Sequence, residues 1–142
     1  MISCTRRIQF CAGHRVLGHE NKCANAHGHN YVAYISARSN DLDKVGRVID
    51  FSVLKEKIGG WIDEYWDHSF LVYNKDIQII SISEKLMENK PMAIHNFNPT
   101  AENMANYLLN TICPELLKDT GVQVYKIKLY ETENCYAEAI LD

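Results

Sequence analysis

The chain has 142 residues, 46% of them hydrophobic and 23% charged, with a formal net charge of -3. This is the length of a single domain, 1–142, with enough apolar content to bury a core unaided. The charge balance points away from nucleic acid as a partner. No apolar run approaches the roughly 20 residues a bilayer span requires, so no membrane partner is expected.

The first residues carry no signal-peptide core, and the expectation is a cytoplasmic protein. Ile2, Cys4, Ile8, Phe10 and Ala12 share one parity, broken by Arg6, which predicts a strand. A polar loop follows from about Arg15 to Ala26. A second strand runs from His27 to Arg38, with Tyr31, Ala33 and Ile35 on one face. Asn40-Asp41 opens a turn region that closes near Gly46. Val53, Leu54, Ile58, Trp61, Ile62 and Tyr65 recur at helical spacing, with Ser52 as the expected cap and Gly59-Gly60 as a weak point. From Ser69 to Phe97 the periodicity is unreadable. A second helix starts near Asn98-Pro99-Thr100, and Met104, Leu108, Leu109 and Ile112 form its apolar stripe. Tyr125, Ile127, Leu129 and Glu131 alternate in a third strand, Glu133-Asn134 marks a hairpin turn, and Cys135 to Leu141 form a fourth strand. The order ββααββ is α+β: a four-stranded antiparallel sheet with two helices on one face.

The cysteines are Cys4, Cys11, Cys23, Cys113 and Cys135, an odd number without a CxxC pair, which argues against a disulfide framework. Four sit in strand- or helix-like runs and are expected to be small buried hydrophobes. Cys23 differs, lying among Asn21, Lys22 and Asn25.

His27-Gly28-His29 is the sharpest local signal. Residues two apart on a strand point the same way, so both imidazoles can reach one ion. His14, at the end of the first strand, is within reach as a third ligand if the two strands pair. Imidazole suits zinc, and also copper, iron or nickel. Three protein ligands leave a fourth position open, which is the catalytic pattern; Cys23 as a fourth ligand would make the site closed and structural. The bland alternative is an ordinary pair of polar histidines. His19 and His95 are expected to be surface or loop residues. Near a cation the Cys23 thiol would ionise readily and could act as a base. Asp67-His68 pairs a carboxylate with an imidazole, or simply ends a helix. Glu131 lies on the apolar face of its strand and needs either a salt bridge or a cationic or amidine-like ligand. Arg15 and Lys22 are possible phosphate contacts, against the simpler reading of solvated surface charge.

Taken in order, several segments resemble the 6-pyruvoyltetrahydropterin synthase and 6-carboxytetrahydropterin synthase family. They are Phe10-Cys11-Ala12-Gly13-His14, Cys23 through Tyr31, Gly46-Arg47-Val48-Ile49-Asp50-Phe51, Asp67-His68, Asn98-Pro99-Thr100-Ala101-Glu102-Asn103 and Glu131-Thr132. Together they cover nearly the whole chain.

The resemblance implies the tunnelling fold, with sheets joined into an oligomeric barrel, commonly a homo-hexamer built as a dimer of trimers with active sites between subunits. It implies Zn2+ held by His14, His27 and His29. Cys23 would be the catalytic base, with Asp67 and His68 as its proton relay. Glu131 would anchor the pterin, with Thr100 and Thr132 as further substrate contacts. The three residues between Cys23 and His27 resemble the 6-carboxy branch, which serves queuosine biosynthesis. The implied activity is a zinc-dependent lyase that converts 7,8-dihydroneopterin triphosphate to 6-carboxy-5,6,7,8-tetrahydropterin, releasing acetaldehyde and triphosphate. The alternatives are the pyruvoyl-forming synthase, which keeps the side-chain carbons, and a non-enzymatic zinc or pterin binder. Trp66, where Leu is usual, and the long Ser69–Phe97 stretch depart from the shorter pattern of the branch.

Overall fold

A computed structural model describes residues 1–142. Strands β1 (Ile2–His14) and β2 (His27–Ser39) form a long antiparallel ladder in which Ile2 opposes Ser39 and His14 opposes His27. Strand β5 (Gln123–Thr132) pairs with β2, and β6 (Cys135–Ile140) pairs with β5, both antiparallel. This is the expected four-stranded arrangement. It is extended past β1 by two short parallel strands, β3 (Ser69–Tyr73) and β4 (Ala93–His95), so the sheet has six strands in the order β4-β3-β1-β2-β5-β6. Helix α3 (Ile77–Ser83) lies in the connection between β3 and β4, as a parallel pair requires a crossover. Such short strands take their identity from pairing at the sheet edge, which explains why Ser69–Phe97 carries no periodicity of its own.

The core lies between one face of the sheet and the helices. Ile8, Phe10 and Ala12 of β1, Tyr31, Ala33 and Ile35 of β2, and Ile127 and Leu129 of β5 all point into it. On β5 the predicted parity fails at one end: Val124 is buried and Tyr125 is only half-buried. A register shift opposite Ser36/Ala37 inserts Tyr125 as an extra residue, and an inserted residue reverses which side chains face inward.

The first helical segment runs unbroken through α1 (Phe51–Leu54), a π-helical stretch (Lys55–Gly59) and α2 (Gly60–Tyr65). Its cap is Asp50, whose carboxylate accepts the Ser52 N–H at 2.9 Å, rather than Ser52 itself. The wider π turn moves the buried stripe to every fourth residue, Leu54, Ile58, Ile62 and Trp66, leaving Tyr65 exposed. The glycine pair does not break the helix, because the neighbouring turns remain hydrogen-bonded through the π stretch. The second segment comprises α4 (Ala101–Tyr107), a π-helical stretch (Leu108–Ile112) and α5 (Cys113–Leu116). Thr100 caps it, its hydroxyl accepting the Asn103 N–H at 3.1 Å, and Pro99 stands just before the cap. Met104, Leu108, Leu109 and Ile112 are buried as the sequence requires. No helix is long and apolar enough to cross a membrane.

All five cysteines are free. Only Cys113 is buried; Cys4, Cys11 and Cys23 are half-buried and Cys135 is exposed, so the expectation of four buried thiols holds for one. Cys135 opens the edge strand β6, which has no neighbour on its outer side to cover it.

Candidate metal centre and active site

The β1–β2 register puts His14 directly across from His27, and Ala12 across from His29. All three histidines share the face that turns to the core, because pairing preserves the alternation of both strands. Their ring centroids lie 4.6, 4.9 and 5.1 Å apart. One ligand atom from each ring falls within 4.8 Å of the others.

The outer hydrogen bonds of this group fix its chemistry. His14 Nδ1 lies 2.6 Å from the Pro99 carbonyl, and His27 Nδ1 lies 2.6 Å from the Asn25 carbonyl. A carbonyl only accepts, so both Nδ1 atoms carry the hydrogen and both Nε2 atoms keep a free lone pair. Those two Nε2 atoms face each other at 3.1 Å. With no hydrogen between them they repel, and a shared cation removes the repulsion. The third ring completes the pattern: His29 Nε2 is a buried polar atom with no hydrogen-bond partner. Buried polar atoms left without a partner are rare in folded proteins. Burial, followed by the neighbouring histidines, pushes the His14 pKa down to about 4, although the Pro99 carbonyl opposes this. Burial also lowers His29, against the pull of Glu131. Neutral imidazoles held by carbonyl partners are the form in which histidine ligates a metal. The residues therefore fit a three-histidine metal centre.

Glu131 follows Leu129 toward the same end of β5, and its Oε2 lies 3.8 Å from His29 Nε2. Burial, reinforced by Glu131, raises the pKa of Tyr31, whose hydroxyl lies 3.3 Å from His14 Nδ1. A small cavity of about 160 Å³ opens beside Glu131, lined also by Ala101, Glu102, Cys135, Tyr136 and Ala137.

Cys23 sits in a short 3-10 turn (Lys22–Ala24), and its carbonyl accepts the Val16 N–H at 2.8 Å, which ties the loop to the end of β1. Its sulfur is not part of the group of mutually close ligand atoms. Asp67 and His68 do bond each other although adjacent: His68 Nδ1 donates to Asp67 Oδ2 at 2.9 Å. A left-handed backbone at His68, φ 58°, folds the ring back over the carboxylate. Asp67 Oδ1 accepts the Cys11 N–H at 2.9 Å, and Lys90 donates to the Asp67 carbonyl. Burial works against the Asp67 charge, but Cys11, His68 and Lys90 outweigh it and hold the carboxyl below its ordinary value. The His68 ring is 78% exposed. It borders a cleft of about 560 Å³, shared with Cys11, Gly13, Asn30, Phe70 and Met87. Cys11, Gly13 and Asn30 belong to the strand parity opposite the three histidines, and His27 and His29 also contribute to the lining of this cleft.

Thr100 and Thr132 carry local duties: the first caps α4, and the second accepts the Asn134 N–H at 3.2 Å in the β5–β6 turn. Arg15 is not free to meet a phosphate, because its guanidinium is paired with Asp76, Nε to Oδ2 at 2.6 Å, and Asp76 is 3% exposed. Lys22 is exposed. His19 accepts the Asn21 N–H within the loop, as expected of a loop residue. His95 is not a surface residue: the Trp66 indole N–H donates to its Nε2 at 3.0 Å, and its ring stacks on Phe97. The Pro99 and Asn25 carbonyls leave no residue-type signal in the sequence, and nothing there assigns a role to Lys90 or to the Tyr31 hydroxyl.

The 6-pyruvoyl tetrahydropterin synthase family matches residues 3–140. A protein of Rickettsia felis named 6-carboxy-5,6,7,8-tetrahydropterin synthase is 46% identical over 138 residues, covering 97% of this chain and 99% of the relative. A protein of Haemophilus influenzae with the same name is 32% identical over 145 residues, covering 97% and 98%. Among solved structures, an uncharacterized protein from Wolinella succinogenes superposes with a TM-score of 0.84 at 22% identity, covering 99% of this chain and 98% of its own. The 6-pyruvoyl tetrahydropterin synthase of Caenorhabditis elegans superposes with a TM-score of 0.70 at 23% identity, covering 99% and 96%. At those identities the two structures speak for the fold alone.

Proposed function

The chain belongs to the 6-pyruvoyl tetrahydropterin synthase family, and from that membership we propose that it is a 6-carboxy-5,6,7,8-tetrahydropterin synthase of queuosine biosynthesis. It is a lyase that takes 7,8-dihydroneopterin triphosphate to 6-carboxy-5,6,7,8-tetrahydropterin, releasing acetaldehyde and triphosphate. The observation that carries the reading is the inward group of His14, His27 and His29, with two Nε2 lone pairs face to face and a third nitrogen orphaned, in a chain 46% identical to a relative of that name.

The three histidines would hold Zn2+, which when bound supplies a Lewis acid that polarises a substrate oxygen and acidifies the neighbouring C–H. Cys23, on the loop tied to the end of β1, is the base that removes the side-chain proton. Asp67 keeps the His68 Nδ1–H engaged, which leaves His68 Nε2 to pass a proton to or from substrate. Cys11, His68 and Lys90 keep Asp67 ionised, so it remains an acceptor for that N–H. The Glu131 carboxylate accepts from the amino-pyrimidinone edge of the pterin, beside the metal centre. Thr100 and Thr132 are secondary substrate contacts.

The exposed His68 ring and the inward-turned imidazoles support a complete site that draws on more than one copy. The assembly is a homo-oligomer, a hexamer of two trimers, in which the open edges at β4 and β6 find partners. Five unpaired thiols suit the reducing cytoplasm. The deciding experiment is mass spectrometry of the product formed by zinc-loaded protein from 7,8-dihydroneopterin triphosphate, with a parallel assay for acetaldehyde. A 6-carboxy product with acetaldehyde is expected. A product that keeps all side-chain carbons would make the chain a pyruvoyl-forming synthase, and no turnover would leave a zinc or pterin binder.

A further inference from the structure

His14 is the most buried of the three histidines, 1% exposed, and the shortest contact that orients its ring is the Pro99 carbonyl at 2.6 Å, with the Tyr31 hydroxyl farther off at 3.3 Å. Pro99 has no side-chain or N–H anchor of its own, because its ring fixes φ and removes the donor. Something else must hold that carbonyl in place, and the residue before it does so. Asn98 Oδ1 accepts the Leu17 N–H at 3.0 Å, and Asn98 Nδ2 donates to the Leu17 carbonyl at 2.9 Å. One side-chain amide thus closes on both polar groups of a single backbone residue three positions beyond His14. The Asn98 carbonyl accepts the Thr100 N–H at 2.8 Å and the Asn103 side-chain amide at 2.9 Å, so the turn is tied to the start of α4 as well.

We infer that Asn98 is a positioning residue for the metal centre: its amide clasps Leu17 and so fixes the Pro99 carbonyl on His14 Nδ1. The inference rests on the three-histidine reading of the site. The chemistry explains why the residue is asparagine. The Leu17 peptide offers a donor and an acceptor side by side, and a short amide presents the complementary acceptor and donor. Aspartate keeps the acceptor and loses the donor; alanine loses both. The clasp has a second anchor, since Arg15, between His14 and Leu17, is held by buried Asp76. The chain leaving His14 is gripped from two sides, and the Asn98 side leads back to the His14 ring through the Pro99 carbonyl.

Partners that orient a ligating histidine typically account for about 10–100-fold in metal affinity. The test titrates the full chain and its Asn98→Ala and Asn98→Asp variants with zinc against a chromophoric chelator, and records the visible bands of the cobalt(II) form. Asn98→Ala is expected to bind zinc about 10–100-fold more weakly and to give shifted, broadened cobalt bands, because His14 is no longer held in one orientation. Asn98→Asp is expected to fall between Asn98→Ala and the parent. Asn110→Ala, which removes an amide bonded to Asn106 on an exposed helix face, is expected to bind like the parent. Parental zinc affinity and cobalt bands in Asn98→Ala overturn the inference while leaving the metal centre intact. A parent chain that takes up neither metal overturns both. If Asn98→Ala does not fold, Asn98→Asp decides, and parental affinity there overturns the clasp.

Discussion

The two faces of the β1–β2 ladder at its closed end use neighbouring residues for opposite purposes. Inward, His14, His27 and His29 crowd three imidazoles around one point. Outward, Gly13 opposes Gly28, and the absent side chains make room for the Phe70 ring and an open cleft with Cys11, Asn30 and His68. A strand alternates its faces with every residue, so a His-Gly-His segment can serve a metal on one face and tight packing on the other. Substitutions one residue apart should therefore give separable outcomes, and that separation can be tested from both faces.

The largest effect is expected inward. His29→Ala removes the ligand whose Nε2 has no other partner. The loss of zinc affinity should exceed the 10–100-fold typical of an outer partner, and turnover should disappear with the metal. Metal analysis after dialysis checks this. Zinc retained at the parental stoichiometry would mean that the inward group is not the metal centre.

Acid should also tell the faces apart in the metal-free protein. Burial holds His14 neutral, with its pKa lowered from 6.5 to about 4, so the unfolded chain binds a proton that the folded chain refuses. Stability then rises with pH across the window from about 4 to 6.5, and falls as pH drops through it. The full span is worth about 3 kcal/mol, at 1.36 kcal/mol for each pKa unit. Outward, Asp67 is also lowered, from 3.8, so its contribution has the same sign but is lost only at more acidic pH. Urea titrations of metal-free protein between pH 7.5 and pH 4.5 should show the inward loss. A flat profile would mean that His14 is not held neutral by burial.

The four long elements of the sheet were legible because their apolar residues alternate over many positions, and both helical segments because their stripes are continuous. The histidine group was legible for the same reason: spacing of two on a paired strand has one geometric meaning. Tyr125 and Tyr65 were misplaced because a bulge and a π turn each add a residue, and a sequence period does not record an insertion. Strands β3 and β4 were invisible because strands of five and three residues carry too few positions to show a period. The His95–Trp66 bond was missed because it joins residues 29 apart. The outer carbonyls of Pro99 and Asn25 were missed because every residue has one.

Cys23 probes the comparison from the loop that leaves the inward face. Its sulfur lies outside the group of close ligand atoms, so Cys23→Ala should keep zinc and lose turnover by about 10²-fold or more, the scale for removing a general base. Zinc content and product formation on the same sample check this. Loss of zinc together with a lower melting temperature would make Cys23 a fourth ligand and the site structural.

The smallest effect is expected outward, at Gly13, next to His14 in sequence. A Cβ there would lie 2.6 and 2.8 Å from two carbons of the Phe70 ring, so the ring has to move. Overpacking of this kind costs about 1–3 kcal/mol. The contact is with a side chain rather than backbone, so the low end of that range is expected, and removing the ring should recover the cost. In a double-mutant cycle, Gly13→Ala should destabilise the parent but be close to neutral in a Phe70→Ala background, which gives a coupling energy of opposite sign to the single-mutant cost. Zinc affinity should stay at the parental value throughout, because the added methyl projects away from the histidines. Urea titrations and zinc competition on the four proteins measure both quantities. If Gly13→Ala weakened zinc binding as much as an outer-partner loss does, strain would be passing through the His14 backbone, and the two faces would share one energetic unit rather than two.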